Sequence, residues 1–391
     1  VVWVALGSLS GLVVAWWWIA PRLLEASHHY QLTTVIDFLR DPNDNHRSES
    51  LVRSAAFIIL VAFVFYVAAQ FQGAGLAVTE VFAVSDTLAI VCGALVILIY
   101  TWLGGYWAVS LTDTIQGVVM CLAAIALPLG TVISLGGLGP VVELIDLGSQ
   151  RGGGTNAATL SVIGFVIGSL AISLGTFGQP HLMVRFMALK DHRARRAAAR
   201  ITLIWYLIVF SGMVMTGLVG RGAFDSLNNN EQVFFALSEQ VLPPVLAGLL
   251  LAAVLSAIMS TADSQLLVCA STLSHDLTDE ALKGSPRVLR RGRWAVVIVV
   301  VLAVLVALFL PAPIFSRVLF AWSALGAALG PTLFARLLGW QIPHSYRVTG
   351  IWMGFGLTVV LSLLPNAPGD ILERLLPFIA HSLLLIWVRR R

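Results

Sequence analysis

The chain has 391 residues, of which 58% are hydrophobic and only 11% charged, and its mean hydropathy is +0.89. A water-soluble domain carries about 25% charged residues, so a soluble globular fold is excluded and an all-α integral membrane protein is expected. The three cysteines (Cys92, Cys121, Cys269) fall in apolar stretches without metal-ligand spacing, which argues against a disulfide framework and a zinc site.

About 20 apolar residues are needed to cross the hydrocarbon core as a helix. Eleven stretches qualify: 1–20, 51–72, 82–103, 107–135, 158–188, 199–220, 243–275, 294–311, 314–338, 347–365 and 371–388. The chain begins at Val1 inside an apolar run with no visible signal peptide, and further residues are expected ahead of it. The longest connection, Pro21 to Ser50, is too short for a separate soluble domain, so residues 1–391 are expected to form a single transmembrane domain.

With the amino end outside, all but four of the 24 basic residues fall in inner connections, the exceptions being Arg151, Arg221, Arg317 and Arg374. That asymmetry is the positive-inside pattern. It explains the net charge of +4 without nucleic acid, and it places the carboxyl end in the cytoplasm. Tryptophans near span ends, such as Trp16 to Trp18, Trp102, Trp294, Trp340 and Trp387, read as interfacial anchors.

Four of the spans carry polar residues that need a reason. In 51–72, Tyr66 and Gln70 lie four residues apart and share a helix face that could line a cavity. In 107–135, Asp113 follows Thr112 inside an apolar run, and a carboxylate there costs about 2.5–3.5 kcal/mol unless it is paired, hydrated or bound to a cation. In 158–188, Gly164, Gly168, Gly175, Gly178 and Pro180 flank Gln179 and His181. Proline removes a helical hydrogen bond and glycine loosens the turn, so a broken helix is expected. Unwound backbone at membrane depth belongs where it lines a cavity. His181 reads as a polar residue with local partners rather than a proton carrier.

The stretch Leu251 to Val268, LAAVLSAIMSTADSQLLV, is the most informative. Ser256, Ser260 and Ser264 recur every four residues and share a face, with Thr261 beside it and Asp263 near Ser260 and Ser264. Hydroxyls in membrane helices commonly bond back to their own backbone. A hydroxyl stripe with one carboxylate, however, also suits a small hard cation. No nucleophile elbow, phosphate loop or paired-cysteine metal motif is present, so an enzyme is not expected.

Three stretches carry a family resemblance: GGYWAVSLTDTIQG (Gly104 to Gly117), GTFGQPHLMVRFMALK (Gly175 to Lys190) and LLAAVLSAIMSTADSQLLV (Leu250 to Val268). Together they resemble the sodium:solute symporter family, nearest to its sodium/proline branch. The resemblance implies a LeuT-like core of two inverted five-helix repeats, with sodium and a small-molecule substrate bound near the midplane beside broken helices. It implies a main sodium site at the Ala257 carbonyl, Ser260 and Thr261. A second cation site is implied at Asp113, Ser260, Asp263 and Ser264, although Asp263 stands where the family often has a hydroxyl. Tyr66, with Gln70, Ile172, Thr176 and Gln179, is the expected substrate-binding set. Ile172 and Thr176 replace an aromatic pair of the proline branch, which widens the expectation to a small amino or organic acid. The first span resembles the second core helix, so the preceding one is expected upstream of Val1. No cofactor beyond Na⁺ as coupling ion is implied. Proton coupling through Asp113 or Asp263, and a membrane sensor built on a transporter core, stay open at this point.

Overall fold

The computed structural model describes residues 2–40, 48–82, 84–152, 159–224, 230–278, 286–310, 312–364 and 370–390. Arg47, Lys283 and Arg391, assigned above to the inner side, lie outside the described residues. Among the described residues there is no strand, as expected where lipid offers no partner for an open backbone. Among the described residues nine helices are long and apolar enough to cross a membrane, or ten if the bent pair Val162–Thr176 with Pro180–Met187 counts as one span.

Ten of the eleven expected spans therefore correspond to an apolar helix or the bent pair. The eleventh, 347–365, falls on a helix, His344–Ser362, that is not among the apolar spans; Arg347 lies within it. The connection Pro21 to Ser50 is a larger correction. Helix α1 (Val2–Val14) runs through a π-helical turn at Ala15–Ile19 into α2 (Ala20–Tyr30). The widened turn changes hydrogen-bond partners just where Pro21 lacks a donor, so the proline sits at the start of α2 without ending the rod. A further short helix, α3 (Val35–Leu39), begins at a reciprocal cap between Thr34 and Asp37.

The remaining helices are α4 (Ser48–Phe82), α5 (Asp86–Leu103), α6 (Tyr106–Ser134), α7 (Leu138–Gly152), α8 (Thr159–Thr176), α9 (Pro180–Met187), α10 (His192–Ala223), α11 (Val233–Val241), α12 (Pro244–Ser271), α13 (Pro286–Phe309), α14 (Ile314–Leu337), α15 (His344–Ser362) and α16 (Ile371–Arg389). They form two compact units.

The first unit comprises Val1–Ala5, Gln70–Ala158 and Thr202–Asp263. Its core joins α6, α7, α10, α11 and α12 through Ala123, Leu127, Val141, Val219, Leu237 and Leu250. Trp205 Nε1 donates to the Gly117 carbonyl at 2.8 Å, and the Tyr206 hydroxyl donates to Ala5 at 2.8 Å. Leu95, Val96, Ile99 and Leu122 stay exposed, as lipid-facing residues do.

The second unit comprises Leu6–Ala69, Thr159–Ile201 and Ser264–Arg391. Helix α14 is its buried centre, packed by α8, α15 and α16. Small residues make this possible: in AWSALGAALGP eight of eleven are Ala, Gly, Ser or Pro, and the backbones approach closely. At one end of this unit the Thr34 hydroxyl donates to Asp276 at 2.6 Å, and His275 Nε2 lies 3.0 Å from Asp37.

Candidate functional site

The residues expected to bind ions and solute divide between the two units. Ala257, Ser260, Asp263 and Asp113 belong to the first, as do Thr261 and Gln70. Ser264, Tyr66, Ile172, Thr176 and Gln179 belong to the second.

In the first unit, the Ser260 hydroxyl donates to the Ala257 carbonyl at 3.0 Å and the Thr261 hydroxyl donates to the same carbonyl at 2.9 Å. Back-bonding of this kind follows from helix geometry, since residues three and four positions on reach back over the previous turn. Its consequence is that three oxygens meet around one carbonyl. Each hydroxyl keeps lone pairs that rotation can aim at an incoming ion. The helix thus gathers a partial oxygen shell for a hard cation with no net charge of its own.

Asp263 is fully buried. The Tyr100 hydroxyl from α5 donates to its carboxylate and also lies 3.1 Å from the Met259 carbonyl. Asp113, from α6, is within electrostatic reach of that same tyrosine. One carboxylate is thus held by the phenol, while the other lies within its electrostatic reach. Tyr100 was not among the residues expected from sequence. Its place three residues before the end of an apolar span resembles that of an ordinary interfacial anchor.

In the second unit, Ser264 accepts a hydrogen bond from Arg185 Nη2 at 2.6 Å. The sequence reading placed Arg185 with the inner-loop basic residues, but it projects from α9 and its guanidinium reaches the Ser264 hydroxyl. Like charges repel, so a cation taken up at Ser264 requires this guanidinium to turn away. Next in sequence, Gln265 is fully buried, and neither amide atom has a hydrogen-bond partner among the described residues.

The expected break is present. Helix α8 ends at Thr176, and α9 resumes at Pro180 after a 47° bend. Gln179 occupies the extended corner and is fully buried, its Nε2 donating to Gly175 at 3.2 Å and to Trp322 at 3.3 Å. Trp322 Nε1 returns a bond to the Ile172 carbonyl at 2.9 Å. A side-chain carbon on Gly175 would overlap the Trp322 indole, so only glycine permits this seat. Ile172 and Thr176 are buried beside the same break. Tyr66 on α4 is buried with its ring centroid 6.3 Å from Trp322 and 6.4 Å from His181. Gln70 lies one turn further along α4 and is half-buried.

Three of the expected substrate residues thus meet Trp322, which sequence reasoning missed: Tyr66 and the Ile172 carbonyl at its indole, and Gln179 at its backbone carbonyl, with Thr176 buried beside the break. Trp322 was detectable as the one aromatic residue within the small-residue run of α14.

A bundle of apolar helices, one of them broken at a buried Gly-Gln-Pro corner, is an all-helical membrane architecture of the LeuT-like kind that secondary transporters use. Residues 1–342 match the model of the sodium:solute symporter family, and the chain belongs to that family. It is 32% identical over 397 residues to the osmoregulated proline transporter OpuE of Bacillus subtilis, covering 95% of this chain and 78% of that one. It is 31% identical over 373 residues to the sodium/proline symporter of Escherichia coli, covering 92% and 73%. Among solved structures, a substrate-bound, outward-open Na⁺-coupled sialic acid symporter superposes with a TM-score of 0.72 at 17% identity, covering 98% of this chain and 83% of that one. The chain is a multi-pass membrane symporter.

Proposed function

We propose that the protein couples sodium entry to uptake of a small solute, an amino acid such as proline or a related organic acid. We place it in the plasma membrane of a prokaryote with its carboxyl end in the cytoplasm. The convergence of Ser260, Thr261 and the Ala257 carbonyl carries this reading. Sodium binds these three oxygens and favours a state in which the solute site is open. Tyr66, Ile172, Thr176 and Gln179 hold the solute, with Gln70 one turn along α4. For the second cation site, Asp113, Ser260 and Asp263 are the candidates in the first unit, and Ser264, which accepts from Arg185, is the candidate in the second. Transport follows from the differential affinity of the states, because a ligand that binds both equally shifts nothing.

The support for proline is the similarity to proline transporters. The support for a wider range is the pair Ile172 and Thr176, which offers one apolar and one hydroxyl wall. The deciding experiment is uptake of labelled proline and a panel of small amino and organic acids into proteoliposomes. Uptake should require an inward sodium gradient. Equal uptake with choline in place of sodium, at clamped pH, would remove the sodium reading.

A second reading is proton coupling through Asp113 or Asp263, supported by the buried Asp263 carboxylate that accepts from Tyr100, with Asp113 in electrostatic reach of the same residue. Uptake driven by a pH gradient without sodium would select it.

A further inference from the structure

One cavity in the second unit shares no residue with the transport site described above. It has a volume of about 1070 Å³ and is walled by α2, α3, the end of α14 and the start of α15. Three guanidinium groups line it, from Arg22, Arg336 and Arg347, against a single carboxylate, Glu25. Glu25 is itself paired with His192, whose Nε2 lies 3.1 Å away.

The guanidinium groups are held in place by the fold. Arg347 is buried and its Nη1 donates to the Leu39 carbonyl at 3.3 Å. Arg336 lies 5.3 Å from the centroid of Phe38, and Arg22 lies 4.4 Å from that of Trp18 while donating to the Trp18 carbonyl at 2.8 Å. Seated on rings and carbonyls, these arginines lose little further freedom on binding, and their planar forks match phosphate oxygens in pairs. The carboxyl end of α14 also borders the cavity, where exposed carbonyls would repel an anion. Its turn uses them internally: Gly339 donates to Arg336 at 3.0 Å and Trp340 to Ala335 at 2.9 Å.

The rest of the wall mixes polar residues, His29, Thr332 and Gln341, with apolar and aromatic ones, including Phe38, Trp340, Ile342 and Leu385. Three guanidinium groups beside Phe38, Trp340, Ile342 and Leu385 offer both a phosphate seat and apolar contact, which suits an amphiphile with a phosphate head better than a small hydrophilic anion. The cavity exceeds in volume what a single free phosphate fills. It lies at the helix ends that the basic-residue asymmetry assigns to the inner leaflet, where basic pockets between membrane helices bind anionic headgroups.

We propose that this cavity binds the phosphate headgroup of an anionic phospholipid. The binding is independent of which solute is carried. The test uses the full chain purified in a neutral detergent, with phosphatidylglycerol and phosphatidylcholine of identical acyl chains added together. Native mass spectrometry should show the glycerol lipid retained at least fivefold over the choline lipid. Arg22→Gln combined with Arg336→Gln should bring the two to parity, with retention of the choline lipid unchanged. Arg22→Gln alone, at an exposed position that does not threaten folding, should lower the preference two- to threefold. Inorganic phosphate at millimolar concentration serves as the arm for a free anion. Displacement of the lipid by phosphate alone would show a phosphate site and overturn the assignment to lipid. Equal retention of both lipids by the unmodified protein, or an unchanged preference in either variant, would overturn the site itself.

Discussion

Two regions solve the same problem in opposite ways. The stretch Ala257 to Asp263 stays helical and turns its hydroxyls onto its own backbone, so its oxygens converge within one turn. The break between α8 and α9 abandons the helix, and its backbone and amide groups are met by a tryptophan from a distant helix. The first region can be read from a single segment. The second exists only because α14 is thin enough to let an indole reach the corner. Local spacing suffices to bring the Ala257, Ser260 and Thr261 oxygens together, whereas the corner at Gln179 needs a tertiary partner.

The largest effect should come from attacking that partner. Gly175→Val places carbon where the Trp322 indole lies, and overpacking of this kind costs about 1–3 kcal/mol. The thermal midpoint in detergent should fall clearly, and Trp322→Leu should restore part of it. An unchanged midpoint would mean that α8 and α14 do not meet as closely as described.

Tyr100→Phe tests the first region from its side. It removes a donor from the buried Asp263 carboxylate, a loss of about 1–3 kcal/mol. Under the sodium reading, the pH dependence of transport should change little while stability drops. A collapse of pH-driven uptake would instead support proton coupling.

Thr261→Ala should leave the helix intact and weaken apparent sodium affinity about tenfold, equivalent to about 1.4 kcal/mol. Solute affinity at saturating sodium should hold. Sodium titrations of uptake decide this, and a wild-type sodium dependence would remove Thr261 from the site. Trp322→Phe keeps the ring but loses the bond to Ile172, at about 1 kcal/mol. Its signature should be a changed order of solute preference with sodium affinity unaltered.

The smallest effect lies outside both regions, at the junction of α3 with the end of α12. Burial alone would raise the Asp37 carboxyl, but hydrogen bonding and charge from His275, with hydrogen bonds from Thr33, hold it below the usual carboxylate range. A depressed folded pKa contributes stability above the unfolded value of about 4, lost as pH falls through the folded one. The difference in thermal midpoint between wild type and Asp37→Asn should be level from neutral pH to about 5 and shrink below about 4. A constant difference across that range would show that the carboxylate charge contributes nothing.

How far the sequence could be read depended on whether a feature was local. Apolar length marked the spans, and Pro180 with its glycines marked the break, because both act within one segment. The polar tail of the first rod was hidden: Arg22 to Tyr30 looks like a loop, yet a π turn and Pro21 carry the helix into it. Arg185 and Tyr100 were hidden for another reason. Each sits near a span end, where basic and aromatic residues have an ordinary interfacial use, and only the fold shows which side chains they meet.

By itself, the sequence determined the membrane class, the orientation bias, the broken segment and the Ala257, Ser260 and Thr261 cluster. Each follows from composition or from a period of three to four residues along one helix. The tertiary structure alone decided that Trp322 closes the corner at Gln179, that Tyr100 holds Asp263, and that Arg185 occupies Ser264. These pairs are separated by tens to more than a hundred residues, and no local periodicity encodes a contact made only when helices pack.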